Sequence, residues 1–413
     1  MHPVTDGGSR GNRWELVGAY ALVASANQLL WLTFAPITSA SAHHYHVSEG
    51  AIGLLSEIFP LLYVLLAVPA ASALDRWFRP ALLAGAVLTA LGSLVRLGGD
   101  TFAWAMAGQL LIAVAQPLVL NAVTGLASGY LTSEARPLGI ALGSAGIFLG
   151  MLISLASAAI VGGAHLHGLL VMGAVYGVVA ALALAISLAR SGRPFHQEKL
   201  AGLDGLRAVW RNPVVRRLSG IGFIGFGIFV ALTTWLQPLL KPAGVSSTTA
   251  GWLLVTMVLC GVIGSAVLPP LVARADADRR LFMAASLTTA TACAVFAFWQ
   301  WVPIVALGVA LTGLLLLTCL PVILELAETS AGAAGTSATA LIWLSGNLGG
   351  IVIALLVQAV LHQPTVAFLL MAVIAAGVAG MLLFEPAPMS SEPAEPMERV
   401  AAGGESAEPS VLR

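Results

Sequence analysis

Charge is what this chain of 413 residues has least of: acidic and basic residues make up 9% of it, and lysine occurs only at Lys199 and Lys241. A soluble domain has roughly a quarter of its residues charged. Without that polar cover, a core drawn from 58% hydrophobic side chains could not be hidden from water. The 19 basic and 19 acidic residues cancel, which excludes the basic face that a nucleic-acid partner requires. No polar stretch exceeds roughly 30 residues, well short of a folded soluble domain. Cys260, Cys293 and Cys319 all fall inside apolar runs, so no disulfide framework is expected. A cleavable signal pattern is missing too. Arg10 and Arg13 precede an apolar run that continues past any small-residue cleavage site and reads as a retained helix. There is no Gly-x-x-x-x-Gly-Lys-Ser/Thr segment, so ATP does not drive the protein directly and no cofactor is expected.

Long apolar sequence, by contrast, is abundant. Runs fall at roughly 16–41, 51–73, 80–97, 101–131, 138–161 and 168–189, and then at 217–239, 248–271, 281–301, 303–325, 335–361 and 365–384. Each can cross about 30 Å of hydrocarbon as a helix, the one open-ended element that satisfies its own backbone there. Twelve helices of about 20 residues use about 240 positions, which equals the apolar share of the chain. The spacing predicts an all-α, multi-pass membrane protein. If both termini lie on one side, all but Arg96 and Lys241 of the 19 basic residues fall on that side, and the positive-inside rule makes it cytoplasmic. The expected organisation is a cytoplasmic N-terminus (1–15), a six-helix bundle (16–189) and a basic cytoplasmic linker suited to anionic lipid (190–216). A second six-helix bundle (217–384) and a disordered acidic tail (385–413) follow.

The second half echoes the first. Val47-Ser48 with Gly53 and Leu55 recurs as Val245-Ser246 with Gly251 and Leu253, and Pro117–Leu120 recurs as Pro321–Leu324. Gly146 and Gly150 recur as Gly346 and Gly350, and Asp75 with Arg79 as Asp276 with Arg279. Offsets of about 200 residues, each joining a helix to the sixth after it, predict two pseudo-symmetric six-helix bundles. Such a pair implies alternating access to a small-molecule site near mid-membrane.

Leu74-Asp75-Arg76-Trp77-Phe78-Arg79, between the second and third helices, resembles the signature loop of the major facilitator superfamily, Gly-x-Leu-x-Asp-Arg-x-Gly-Arg. Ala71, Ala73 and Phe78 stand where Gly, Leu and Gly are usual. The resemblance implies the major facilitator fold and secondary transport across the plasma or inner membrane. Asp75 would face the positive N-terminus of the eleventh helix, near Thr336, while Arg76 and Arg79 exchange partners as the halves rock. The plainer alternative is a set of positive-inside anchors. Glu325 and Glu328 share a helical face and are expected to join this gate by pairing with Arg136 or other inner cations. Two features frequent in drug–proton antiporters are missing: an Arg in the fourth helix and a Gly-Pro pair in the fifth.

Leu30–Ile37 with Tyr45–Ser48, Leu91–Gly98, and Gly108-Gln109 with Val114-Ala115-Gln116 resemble the feline leukaemia virus subgroup C receptor-related transporters. Leu320-Pro321, Glu325, Glu328, Gly335–Ser337 and Asn347 continue the likeness. That branch is associated with choline, ethanolamine and haem. The resemblance implies a substrate site of Trp31, Gln116, Phe229 and Asn347, with Phe229 where the family often has Tyr and Asn347 where it often has Gln. The chemistry is coherent, because aromatic faces hold an ammonium by cation–π attraction and neutral amides orient it. The alternative is that these aromatics simply pack or sit at the membrane interface.

Glu57 departs from the family. An acid within a membrane helix is a functional candidate by default, and Glu57 is expected either to couple transport to protons or to neutralise a cationic cargo. The competing reading is an acid wetted by the outer vestibule. His43, His44 and His46 crowd the outer end of the first helix but point different ways with no carboxylate spaced to help, so no metal site is expected. The expected function is secondary transport of a small choline- or ethanolamine-like amine. The alternative is export of hydrophobic or amphipathic compounds. A receptor or enzyme is the least favoured reading, since clustered catalytic groups at membrane depth are lacking.

Overall fold

Within a bilayer every backbone N–H and C=O must find its partner inside the segment, so long apolar runs become helices. The computed structural model describes residues 12–132, 134–161, 165–191, 203–274, 277–331 and 334–384. Among them, eleven helices are long and apolar enough to cross a membrane. The first half contains α1 (Trp14–Leu32), α2 (Thr38–Tyr45), α3 (Glu49–Val95), α4 (Phe102–Leu120), α5 (Ala122–Tyr130), α6 (Arg136–Val161) and α7 (Leu166–Ser191). A short α8 (Leu203–Trp210) leads to α9 (Pro213–Leu240), α10 (Ser247–Arg274), α11 (Asp278–Phe298), α12 (Val302–Ala331), α13 (Gly335–Ala359) and α14 (Pro364–Phe384). The terminal segments 1–11 and 385–413, including the expected acidic tail, and residues 192–202 of the linker lie outside the described residues.

At 47 residues, α3 is about 70 Å long, more than twice the hydrocarbon thickness. It breaks at Trp77 (φ −141°, ψ 58°), so its two arms bring the number of crossings to twelve. Where the sequence suggests a loop over Leu74–Arg79, the structure has a one-residue break. The helix resumes at Phe78 with Pro80 in its first turn, where a missing N–H is harmless.

The two bundles repeat each other's contacts: α1 lies along α6 as α9 lies along α13, and across the interface α6 meets α10 as α13 meets α3. Small residues set these separations. A Cβ on Gly150 would come within 2.0 Å of the Ser25 carbonyl oxygen, and one on Gly349 within 1.9 Å of that of Phe223. Glycine is what lets these backbones approach. The structural counterpart of Gly150 is therefore Gly349, one residue from the Gly350 that the sequence repeat suggests.

The repeated Val-Ser segment is a turn and cap used twice. His46 (φ 54°) and Gly244 (φ 77°) are left-handed, and the N–H groups of Val47 and Val245 reach back to the carbonyls of Ala42 and Leu240, closing the preceding helix. Ser48 and Ser246 then accept from the backbone N–H of Ala51 and Thr249, as N-caps do.

Arg96, expected in an outer loop, is buried at 1% exposure. The reason is the end of α1, whose last carbonyls lack helical partners. The Leu30 carbonyl accepts from Arg96 Nη1 (3.4 Å) and Gln109 Nε2 (3.3 Å). The guanidinium also lies 5.1 Å from the Phe34 ring centre, a cation–π distance. Arg96 and Gln109 thus fasten the bend that follows Trp31.

Gly150→Ala and Gly349→Ala are each expected to destabilise the protein by about 1–3 kcal/mol through overpacking. Gly168→Ala, with nothing within 4 Å of its Cβ, should leave the melting midpoint of detergent-solubilised protein unchanged.

Candidate functional site

Between the halves lies a cavity of about 880 Å³. It runs from Trp31, Phe229 and Asn347 to Arg136, Leu206 and Glu325, and so reaches the face that carries α8, termed here the linker face. Trp31, Gln116, Phe229 and Asn347 all line it.

Local geometry decides what each of the four offers. The Trp31 indole N–H donates to the Ser56 carbonyl (2.9 Å), and its ring tilts against Phe59 with centroids 6.1 Å apart. With its N–H engaged, Trp31 presents a ring face to a ligand. Gln116 makes no hydrogen bond among the described residues, so its amide is available to the cavity. Phe229 belongs to a series of rings, 5.9 Å from Phe226, which in turn meets Trp343 edge-on at 6.1 Å. Asn347 Nδ2 donates to the Trp343 carbonyl (2.9 Å), leaving its Oδ1 as an acceptor.

Tyr63, Asn121, Phe226 and Trp343 also line the cavity and were not singled out from the sequence. The Tyr63 hydroxyl donates to Asn121 Oδ1 (2.6 Å). A signal for Asn121 was present, since it follows Pro117–Leu120 as Glu325 follows the repeated Pro321–Leu324, and both residues line the cavity. Arg136 and Glu325, at its linker end, are the only charged residues lining it among the described residues.

Among the expected gate residues, Glu325 lines the linker end of the cavity, and the two arginines of the loop motif have contacts in their own half. Arg79 Nη2 donates to the Leu188 carbonyl at the end of α7, and Arg279 Nη2 to that of Leu382 (2.5 Å) at the end of α14. In each half an arginine closes a helix C-terminus, where a cation is favoured. Arg79 is thus held within its own half here. Arg76 lies over the exposed Trp77 ring at 4.7 Å, and Asp75 is half-buried at the end of the first arm of α3. The side chains of Glu328 and Thr336, and residue Asp276, lie outside the described residues.

On the far face the halves meet. Lys241 Nζ bonds Glu49 Oε1 (2.8 Å), Ser39 Oγ donates to the same oxygen (2.5 Å), and the Ser39 backbone N–H donates to Gln237 Oε1 (3.1 Å). Beneath them Trp235, fully buried, sits where a Gly53 Cβ would lie, 1.9 Å from its Cη2. Gly251 takes Ala159 and Pro36 in the same way, with Cβ approaches of 2.7 and 3.3 Å. Glu57 lies in this seal and not on the cavity lining. It is buried at 4% exposure, and since α3 begins at Glu49 it lies about 12 Å along the helix.

The sequence model of the Major Facilitator Superfamily matches residues 16–354. Solute carrier family 49 member A3 of Danio rerio is 29% identical over 381 residues, covering 86% of this chain and 80% of that protein. The choline/ethanolamine transporter FLVCR2 of Homo sapiens is 32% identical over 120 residues, which is 28% of this chain and 23% of that protein. The match to that protein, from the branch the sequence resembles, thus spans a short stretch. A solved structure of the nucleoside transporter NupG superposes with a TM-score of 0.70 over 90% of this chain and 100% of that one, at 14% identity, a likeness of fold alone.

Gly53→Val is expected to push Trp235 out of its notch and open the far face. The check is spin-label distance measurement between Thr101 and Thr248, both exposed on that face, in a cysteine-free background. The distance distribution should shift to longer values.

Proposed function

Because the chain belongs to the Major Facilitator Superfamily, whose members alternate access between two bundles, we propose that it carries a small organic amine of the choline or ethanolamine kind across the cell membrane. The observation that carries this reading is the lining of the cavity at mid-depth. Ring faces of Trp31, Phe226, Phe229 and Trp343 combine there with the amides of Gln116 and Asn347, and the lining acid, Glu325, lies at the linker end. A desolvated ring face attracts an ammonium by about 2 kcal/mol, and amide oxygens accept from a hydroxyl or amine hydrogen. A site that holds its cargo without a buried counter-ion also releases it readily, as turnover requires.

The distribution of basic residues supports a cytoplasmic linker face and cytoplasmic termini, and on that reading the conformation described is the one open to the inside. Rocking of the bundles about the central site would close the linker face and part Trp235 from Gly53. The short similarity to a protein named a choline/ethanolamine transporter supports the same cargo class. Export of hydrophobic or amphipathic compounds is the second reading, favoured by a cavity of about 880 Å³ whose walls are mostly apolar and which is larger than choline needs.

Uptake of radiolabelled choline and ethanolamine into proteoliposomes tests this. Saturable flux is expected, and Trp31→Ala should weaken apparent affinity by at least about tenfold, since about 2 kcal/mol corresponds to roughly 30-fold. Absence of saturable flux for both amines removes the amine reading, and equal competition by diverse lipophilic cations favours the second.

A further inference from the structure

We propose that a slot in the second bundle, between Gly225, Thr289 and Thr312, binds the hydroxyl end of the cargo and so selects amino alcohols over plain amines. The inference rests on the amine reading and deepens it, naming the part of the cargo that the site discriminates.

The slot is a place where the pseudo-symmetry fails. In the first half the Asn27 side chain of α1 bridges the second arm of α3 and α4. Its Nδ2 donates to Thr89 Oγ1 (3.3 Å) and to the Ile112 carbonyl (3.1 Å), and all three residues are buried. Repeated contacts identify the equivalent positions in the second half. Gly150 lies against Ser25 as Gly349 lies against Phe223. Ser25 and Phe223 are 198 residues apart, and the same offset pairs Trp31 with Phe229 and Asn27 with Gly225. Arg79 and Arg279 cap α7 and α14 alike, and their offset of 200 pairs Thr89 with Thr289. Gly108 beside Gly92 and Gly308 beside Ala292 give α4 and α12 that offset too, which pairs Ile112 with Thr312.

A glycine thus stands in place of the bridging asparagine, and both positions it would bridge are threonines. Thr289 and Thr312 are each 1% exposed, and neither hydroxyl has a hydrogen-bond partner among the described residues. They lie about 14 and 15 Å from the far ends of α11 and α12, close to the depth of Phe229 on α9. A Cβ on Gly225 would meet only Leu316, at an ordinary 3.4 Å, so there is room beside it. Gly225, Thr289 and Leu316 all line the central cavity. Here the cavity enters the second bundle as far as Thr289 on α11 and Ala375 on α14. In the first bundle, among the described residues, it touches neither the second arm of α3 nor α7.

Leaving two buried hydroxyls unpaired is costly. A ligand hydroxyl placed where the Asn27 amide stands in the other half can accept from one threonine and donate to the other. A methyl group there would leave both unpaired. A carboxylate would lack a buried counter-charge, since Arg136, the lining cation among the described residues, is at the linker end. The end group that suits the slot is an alcohol, with the ammonium against the Phe229 ring at the same depth.

The test compares choline with ethyltrimethylammonium, the same ion without its hydroxyl. Affinities are read by displacement of radiolabelled choline from the purified full-length protein in detergent. Wild type should bind choline about fivefold more tightly, the worth of one net hydrogen bond. Thr289→Val, similar in shape but without the hydroxyl, should abolish that preference by weakening choline alone. Gly225→Asn should rebuild the bridge of the first half: its melting temperature should equal or exceed that of wild type, while the preference for choline disappears. Thr89→Val, which removes a partner of Asn27, should lower the melting temperature and leave the preference in place. The proposal is overturned if wild type binds both ions equally, if Thr289→Val or Gly225→Asn keeps the preference, or if Gly225→Asn fails to fold. Each of those results leaves choline binding to the wild type, and the amine reading stands. If neither ion binds, the amine reading fails and takes this proposal with it.

Discussion

The structure turns on how closely two membrane-embedded bundles can approach on one face. That approach is a matter of missing side-chain atoms: Gly53 leaves the space that Trp235 fills, and Gly251 leaves the space that Ala159 and Pro36 fill. In a bilayer no water gains by such contacts, so fit, more than the hydrophobic effect, holds helices together. The polar groups above the notches, Glu49 with Lys241 and Ser39 with Gln237, add register more than strength, because an exposed ion pair contributes little. Closing one face to atomic contact leaves the bundles splayed toward the other, and the central cavity is the result.

The scarcity of charge noticed in the sequence carries into that cavity, whose middle is lined by rings and neutral amides. A buried ion pair there would be difficult to form and to break. Charged residues are placed instead where they brace helix ends. Arg79 and Arg279 cap the last turns of α7 and α14, and Arg96 fastens the bend after α1. The pseudo-symmetry thus extends from helix order down to single hydrogen bonds.

Much of this was legible in the sequence. Helix number followed from run length, and the repeats located the turn-and-cap units and the close-packing glycines to within one residue. Trp31, Gln116, Phe229 and Asn347 do come together around one cavity. What escaped was set by tertiary context. No local pattern says that Arg96 turns inward to a stranded carbonyl, that Leu74–Arg79 forms no loop, or that Glu57 sits in the seal and not in the site. Tyr63, Phe226 and Trp343 look like any aromatic in an apolar run until the facing helices are known. Each depends on groups far away in the chain.

Trp31 lines the cavity while its indole N–H is tied to the backbone carbonyl of Ser56 on the first arm of α3. One turn back on the same arm is Gly53, against which Trp235 of the other half is seated. A single helix therefore joins the cavity wall to the closed face. A substitution that re-orients the indole would be felt at that seam as well as in the cavity.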